Sequence, residues 1–516
     1  MKNKRKKLLT SLCLMSVLAL QSCGDVISHV QQPPATENTT SSSGNADSSK
    51  LEINKSEVTT DSSAVPAIAT TKMTTTTTAQ STTATTTTTA TTTQKVPSVM
   101  RGNLYDANGE LLMFSSKGAD GKEERMTNDS NKVAFANVLN EMSEGLDLTY
   151  DKQLRVENPT PVGSTKTGQS IQLTYDAKIQ NAIYNYMDSM GIIGSAVVMR
   201  SDGSIMAQVS YPSYNPDDYY GVKTEQDLAW GYYGNKCFQN FPPGSCFKIM
   251  SEVISDKHEM HSLYDEGEWF YDGVSIVNWD SKTNGGYPMQ RSLNSAFVNS
   301  SNIFFAHSFD NIGKDDVLKD LESIFHFVSP IECDFGTISN NIEIYCNDDL
   351  RRSSFGQSYV MTCPLYLAAL GREAVFGDMV KPFTIKNIVD TNDCSTIIKS
   401  GTKDHDVIGT IPQEYRQNLL DGMTGVGAGL GISIPAGYSF YAKTGTAETW
   451  EGDFLYITGA LKKNDDNGSK RYDDYSNYND SYIIVTQIRN PQAFGYSFAS
   501  HSAPLYQGIV NCVVNN

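Results

Sequence analysis

Ser245 and Lys248 stand three residues apart in Phe241-Pro242-Pro243-Gly244-Ser245-Cys246-Phe247-Lys248-Ile249-Met250. A serine hydroxyl is a poor nucleophile until a base takes its proton, and a lysine shielded from water loses its preference for the charged form. The two could supply nucleophile and base for acyl transfer if one element put both side chains on one face. A helix does so at i and i+3, and its N-terminus adds partial positive charge beside a forming alkoxide. Pro-Pro-Gly reads as a turn that delivers Ser245 to a helix start, with Phe247, Ile249, Met250, Val253 and Ile254 as a buried face. Spacing alone decides nothing: Ser400-Gly401-Thr402-Lys403 has it too, in a polar, Gly-containing segment unsuited to a buried helix.

Two later stretches carry further polar groups in apolar settings. Ser300-Ser301-Asn302 interrupts Ala296, Phe297, Ile303, Phe304 and Phe305, an otherwise apolar helical context. Lys443-Thr444-Gly445-Thr446 follows the strand-like run Tyr438 to Ala442. Copies elsewhere lack these settings: Lys166-Thr167-Gly168 sits in a Ser/Thr/Gly-rich turn, and Ser213-Tyr214-Asn215, Ser292-Leu293-Asn294 and Ser339-Asn340-Asn341 are further serine-x-asparagine decoys. No histidine lies within or beside the three stretches, which disfavours a Ser-His-Asp triad.

The surrounding elements read as α+β. Ile171 to Thr174 alternates like a strand, and Asp176 to Met190 has helical spacing of Ile179, Ile183, Tyr186 and Met187. Gly194 to Met199 and Ile205 to Val209 form a hairpin around Ser201-Asp202-Gly203, and Phe454 to Ala460 and Ile483 to Ile488 add strands. A helix followed by an antiparallel hairpin favours α+β over alternating βαβ units. Residues 465–480 read as a polar hairpin loop, and residues 98–168 as a small, mostly extended module with a turn at Asn108-Gly109.

Composition divides the 516 residues unevenly, because all 4 Trp, 27 Tyr and 20 Phe lie from Tyr105 onward. Lys2 to Lys7, the mostly apolar run Leu8 to Leu20 and the small Ser22 have the pattern of a cleaved secretory signal over 1–22. The apolar run falls short of the ~20 residues that span a bilayer. Leu20-Gln21-Ser22-Cys23 resembles a bacterial lipobox, making Cys23 the expected lipidated residue; the alternative is a signal peptide that happens to contain Cys. Residues 23–97 then form a lipid anchor and a disordered Ser/Thr-rich tether, whose tract from about 30 to 97 has an end-to-end distance of roughly 45 Å as a coil. Net charge −17 excludes nucleic acid as a partner. Nine cysteines, two in the leader and none with C-x-x-C spacing, give neither a disulfide framework nor a zinc site, though one Cys333–Cys346 bridge stays open.

Serine with lysine three later, then Ser-x-Asn, then Lys-Thr-Gly after a strand, in the order 245, 300, 443, resembles the signature of penicillin-binding proteins and β-lactamases. Gln172-Leu173-Thr174-Tyr175-Asp176 is similar to the opening of their transpeptidase domain, and Tyr211-Pro212-Ser213-Tyr214-Asn215-Pro216 to the segment before the nucleophile. Gly356-Gln357 with Pro364-Leu365 and Leu367-Ala368 matches another stretch, with Ser358 for the usual Gly and Cys363 for the usual Thr. Arg101-Gly102 to Asn108-Gly109 resembles the start of a class B pedestal, with Ala107 where Arg is expected.

The resemblance implies the penicillin-binding protein/β-lactamase-like transpeptidase fold over 169–516, an antiparallel sheet flanked by helices with an all-helical subdomain, behind a short pedestal at 98–168. It implies a D,D-transpeptidase that cross-links peptidoglycan stem peptides through a Ser245 acyl-enzyme and is inhibited by β-lactams, with no cofactor and no metal. Lys248 would be the base and Ser300 a proton relay; Asn302, Lys443, Thr444, Gly445 and Thr446 would bind substrate, and the Ser245 and Thr446 N–H groups would form the oxyanion hole. Alternatives are a D,D-carboxypeptidase or β-lactamase using water, or a non-catalytic β-lactam sensor. The long interval from Asn302 to Lys443 suits a transpeptidase better than a compact β-lactamase, no glutamate is evidently placed to activate water, and no apolar signalling span follows residue 22. A membrane glycan polymerase is a partner the resemblance raises, and the outer face of the bacterial cytoplasmic membrane is the expected location.

Overall fold

The computed structural model describes residues 99–139, 145–161, 166–218, 231, 233–271, 273–279, 288–401, 406–449, 452–468 and 480–515. The leader, Cys23, the tether and most of the 465–480 insertion lie outside them.

An antiparallel sheet of five strands forms the centre: β1 (Gly194–Arg200), β2 (Ile205–Tyr211), β3 (Tyr438–Ala447), β4 (Phe454–Lys463) and β5 (Tyr482–Arg489), in the order β3-β4-β5-β1-β2. Its central strands β1, β4 and β5 are buried over almost their whole length because both faces are covered, so successive residues enter different cores. Ala196, Val198, Ile484 and Ile488 pack with Ile179, Ile183, Ile509 and Val513 on one face. Those partners belong to helices α1 (Ala177–Met190) and α7 (Ala503–Val514). α1 starts where the Asp176 side chain accepts from Ile179 N (2.9 Å) and stops at Gly191, whose φ of +65° suits a glycine.

Val197, Met199, Ile483 and Val485 point the other way, into a larger core with Phe247, Ile249, Met250 and Val253. This side holds a helical lobe: α2 (Lys248–Lys257), α3 (Leu293–Val298), α4 (Asn302–Ile312), α5 (Pro364–Phe376) and α6 (Gln413–Gly429), with further helices at Lys314–Ser323 and Asn347–Ser353. Every residue of α5 is buried, and so is α2 from Lys248 to Asp256. The lobe also carries two-stranded ladders, among them Ser262–Asp265 with Met289–Ser292 and Glu268–Tyr271 with Val274–Val277, so helices are not its whole content.

Short strands of the N-terminal module, Leu104–Tyr105, Leu111–Lys117 and Glu123–Thr127, join Ser170–Leu173, Ile385–Val389 and Ile397–Ser400 in one six-stranded sheet. Leu104 and Tyr105 pair parallel with Ile171 and Gln172, so the sheet runs across residue 168. The module also contains short helices at Ala136–Leu139, Leu146–Thr149 and Asp151–Leu154 beside its extended segments. Gly109, at φ +87°, turns the first strand into the second. The competing serine at 400 ends a strand, and Lys403 lies outside the described residues. Cys333 and Cys346 are both free.

Candidate active site

The segment entering α2 is a 3-10 turn, Gly244–Phe247, before the α-helix begins at Lys248. In that tighter geometry side chains at i and i+3 eclipse, which brings Lys248 Nζ to 3.0 Å from Ser245 Oγ. Gly244 has φ +53°, and a Cβ on it would lie 2.3 Å from Thr446 O. Gly356, at φ +71°, accepts at its carbonyl from Gly244 N (3.1 Å). The turn is therefore wedged between β3 and the segment ahead of α5, where only glycines fit.

Between α3 and α4 the chain breaks. The apolar pattern around 296–305 reads as one helical context, but Ser300 takes φ +57° and Ser301 caps α4, its Oγ accepting from Phe304 N (3.1 Å). This corner aims Ser300 at Lys248: the amine donates to Ser300 O (2.8 Å), lies 3.2 Å from Ser300 Oγ and donates to Asn302 Oδ1 (2.7 Å). Asn302 Nδ2 donates to Val277 O (3.0 Å), which sets the amide with its oxygen towards Lys248.

Lys443 comes from the sheet. Phe440 and Ala442 face the α1/α7 core, so alternation turns Lys443 and Gly445 towards the helical lobe. Lys443 Nζ lies 3.1 Å from Ser300 Oγ and 3.1 Å from Thr444 O. A Cβ on Gly445 would stand 2.5 Å from Pro243 O and 2.9 Å from Cys246 Sγ, so glycine there lets strand and turn touch. Cys246 is a packing residue of this contact, fully buried with its thiol 3.5 Å from Lys443 O. β3 is an edge strand of the sheet. Because Thr446 O lies against Gly244 on the side away from β4, the N–H of the same residue shares that open edge beside Ser245.

Both amines are fully buried, whereas Ser245, Ser300 and Thr446 are half-buried. The rings of Phe305 and Phe355 lie 5.9 and 5.8 Å from Lys248 Nζ and keep water from it. Burial, and then the Lys443 charge, push the Lys248 amine well below its ordinary pKa. Burial brings Lys443 down to about 8. Hydrogen-bond valence agrees with a neutral Lys248. Ser300 O and Asn302 Oδ1 can only accept, so they take both N–H bonds of an –NH2 group and leave its lone pair for a hydroxyl proton such as that of Ser245.

Ser245, Ser300, Asn302, Thr444 and Thr446 line one cavity of about 700 Å³, with Trp279 and Phe498 on its walls. All the motif residues expected from Ser245 to Thr446 thus meet at one place, while Cys23 lies outside the described residues. Two features escape the linear reading. Glu448 and Asp453 also line the cavity, so a glutamate stands in the same lining as Ser245. Ser358, which stands for a glycine, takes φ +62° and donates from Oγ to Asp349 Oδ1 (2.7 Å). No cluster of three or more His, Cys, Asp or Glu that could hold a metal occurs among the described residues, and none of their helices is long and apolar enough to cross a membrane.

A hydroxyl beside an amine of depressed basicity, with a second hydroxyl between two amines, is an arrangement that can support serine acyl transfer. The sequence pattern of the penicillin binding protein transpeptidase domain matches residues 194–497, more than half of the chain, and the chain belongs to that family. It is 25% identical over 431 residues to penicillin-binding protein 3 of Bacillus subtilis (strain 168), an alignment covering 75% of this chain and 58% of that one. It is 22% identical over 441 residues to a peptidoglycan D,D-transpeptidase FtsI homolog of Mesostigma viride, covering 74% and 70%. The chain thus spans little more than half the length of the Bacillus relative. Among solved structures, penicillin-binding protein A from M. tuberculosis, in its ceftriaxone acyl-enzyme complex, superposes with a TM-score of 0.66 at 19% identity, covering 81% of this chain and 99% of that one. That likeness shows the penicillin-binding protein transpeptidase fold.

Proposed function

We propose that this chain is a serine D,D-transpeptidase of peptidoglycan, with Ser245 as nucleophile and Lys248 as its base. The observation that carries the reading is the buried Lys248 amine 3.0 Å from Ser245 Oγ, with its N–H bonds taken by Ser300 O and Asn302 Oδ1. Ser245 Oγ bonds to the carbonyl carbon between the two terminal D-alanines of a stem peptide and passes its proton to Lys248 Nζ. The C–N bond then breaks, the departing amine takes a proton through Ser300 Oγ, and D-alanine leaves an ester on Ser245. An amine of a neighbouring stem attacks that ester and restores the hydroxyl. Lys443, with the Thr444 and Thr446 hydroxyls, draws in the substrate carboxylate, and the Ser245 and Thr446 N–H groups receive the oxyanion. Asn302 orients Lys248 and keeps a second N–H for a substrate carbonyl.

A β-lactam acylates the same serine on this reading. Fluorescent penicillin should label the protein, and mass spectrometry should place the adduct on Ser245. Equal labelling of Ser245→Ala would refute it. The hydrolytic alternative has one observation of its own, Glu448 in the cavity wall. If water is the acceptor, the acyl-enzyme turns over steadily and Glu448→Gln slows it; on the transpeptidase reading the penicilloyl adduct persists in both proteins.

We also place the protein outside the cytoplasmic membrane, anchored by lipid at Cys23 and held off by its Ser/Thr-rich tether. Support comes from the basic start, the short apolar run and Leu20-Gln21-Ser22-Cys23. Mass spectrometry of the mature N-terminus checks this, and an unmodified Cys23 in the membrane fraction refutes it.

A further inference from the structure

We propose that Asp265 is a positioning residue for acylation, holding the corner that presents Ser300 and Asn302 to Lys248; the proposal rests on the Ser245–Lys248 reading above. Asp265 ends one strand of a ladder in the helical lobe, far in sequence from all three motifs. Its side chain is fully buried. Oδ2 accepts from Arg291 Nε (2.6 Å), Asn278 Nδ2 (2.8 Å) and Ser301 Oγ (2.8 Å), and Oδ1 accepts from Gly267 N (3.0 Å).

These bonds converge under an unfavourable backbone. A residue with a Cβ persists at φ +57°, as Ser300 does, only where its surroundings over-determine it. Ser301, the next residue, is fixed by Asp265 and in turn caps α4. Asn278, oriented by the same carboxylate, accepts from Asn302 N (2.8 Å), and Trp279 Nε1 donates to Asn299 O (2.9 Å). The corner is therefore pinned at 299, 301 and 302, on both sides of Ser300. Three of the four polar contacts of the Lys248 amine come from that corner: Ser300 O, Ser300 Oγ and Asn302 Oδ1.

The chemistry calls for a carboxylate here. All four neighbours donate, so an acceptor-only side chain satisfies each, and the Arg291 guanidinium balances its charge. Burial alone would raise the Asp265 pKa, but the bonds from Ser301, Gly267, Asn278 and Arg291 outweigh it and hold the group ionised below its usual range. An amide of the same shape would turn one acceptor into a donor facing a donor and leave Arg291 unbalanced.

A structural role alone would lower the amount of folded enzyme without changing how the folded fraction reacts. A positioning role predicts a split, because the corner gives Lys248 three of its four polar contacts in the chemical step and offers substrate only the second Asn302 N–H, whereas β3 supplies the rest of the binding edge. The test uses the whole purified chain with a chromogenic penicillin in stopped flow, resolving the binding constant from the acylation rate constant, with melting temperature measured alongside. Asp265→Asn should cut the acylation rate constant on the order of 10- to 100-fold, as expected for sub-ångström to ångström misplacement of reacting groups, with the binding constant within about two-fold. If Asp265→Asn fails to fold, Ser301→Ala keeps the Asp265–Arg291 pair and removes one of the carboxylate's links to the corner together with the α4 cap, leaving the link through Asn278; a several-fold loss in the same constant is expected. Wild-type acylation rate in folded variants, at whatever melting temperature, overturns the proposal. A wild-type protein that penicillin does not acylate overturns the underlying reading and this inference with it.

Discussion

Alanine at Gly445 would put a methyl group into the contact that seats the Ser245 turn on β3. Its Cβ would lie 2.5 Å from Pro243 O, 2.9 Å from Cys246 Sγ and 3.0 Å from Cys246 N. The first distance falls about 0.9 Å short of the 3.4 Å at which ordinary contact begins, and the obstacle is backbone carbonyl that cannot swing aside. Turn and strand must separate by a comparable amount, at an overpacking cost of about 1–3 kcal/mol. Stability absorbs that; reactivity does not, since an ångström of misplacement costs roughly 100-fold in rate. We expect Gly445→Ala to fold, to melt a few degrees lower and to react with fluorescent penicillin about two orders of magnitude more slowly. Adding Cys246→Ala removes the thiol clash but leaves the Pro243 carbonyl, so the double variant should recover little. Labelling of folded Gly445→Ala at the wild-type rate would show that the contact does not set the position of Ser245.

Lys248→Met keeps the bulk of the side chain but removes the base, and acylation should fall on the order of 100- to 10,000-fold with the fold retained by circular dichroism. The wild-type acylation rate should follow a bell in pH. It rises as Lys248 loses its proton, well below the ordinary range of lysine, and declines above about pH 8 as Lys443 loses the charge that attracts a carboxylate; Lys443→Met should abolish that alkaline decline. Glu373 is fully buried, neither carboxyl oxygen has a hydrogen-bond partner among the described residues, and burial raises its pKa well above the usual value. Its folded pKa exceeds its unfolded one, so its contribution is intact below the unfolded pKa and is lost as pH rises through the folded one. Glu373→Met should therefore raise the melting temperature by a margin that widens with pH, and a constant offset would contradict a neutral buried acid.

What was legible in the sequence is what depends on local pattern. The hairpin at Ser201-Asp202-Gly203, the helix capped by Asp176 and the ordered motifs at 245, 300 and 443 each announce themselves within a few residues. The break at Ser300 does not, because serine and asparagine are tolerated within an apolar periodicity and the left-handed φ is imposed from outside. Asp265, Asn278 and Arg291 leave no local trace either; one ladder pairing, Leu263 with Arg291, and the end of another, at Val277, bring them together only on folding. Cys246 reads as a spacer until Gly445 is seen to need its methyl-free face against that thiol. Glu448 adjoins the third motif, but only the cavity shows which way the strand end turns it.

Ser300 Oγ touches both buried lysines, at 3.2 and 3.1 Å, and this gives the proposed chemistry its order. Two ammonium ions meeting at one buried hydroxyl repel, so the proton belongs to the amine that gains a counter-charge. In the free protein burial and the Lys443 charge hold Lys248 well below its ordinary range, and on the proposed reading Lys443 is the amine that a substrate carboxylate pairs with. Binding such a carboxylate favours the charged form of Lys443, and by linkage makes a proton on Lys248 still less favourable. A ligand with a carboxylate thus prepares the base that attacks through Ser245, whereas its methyl ester would not. Acylation by a penicillin and by its ester should therefore differ in the acylation rate constant and its rising pH limb as well as in affinity. A difference confined to affinity would mean that the two amines titrate independently and that Ser300 does not couple them.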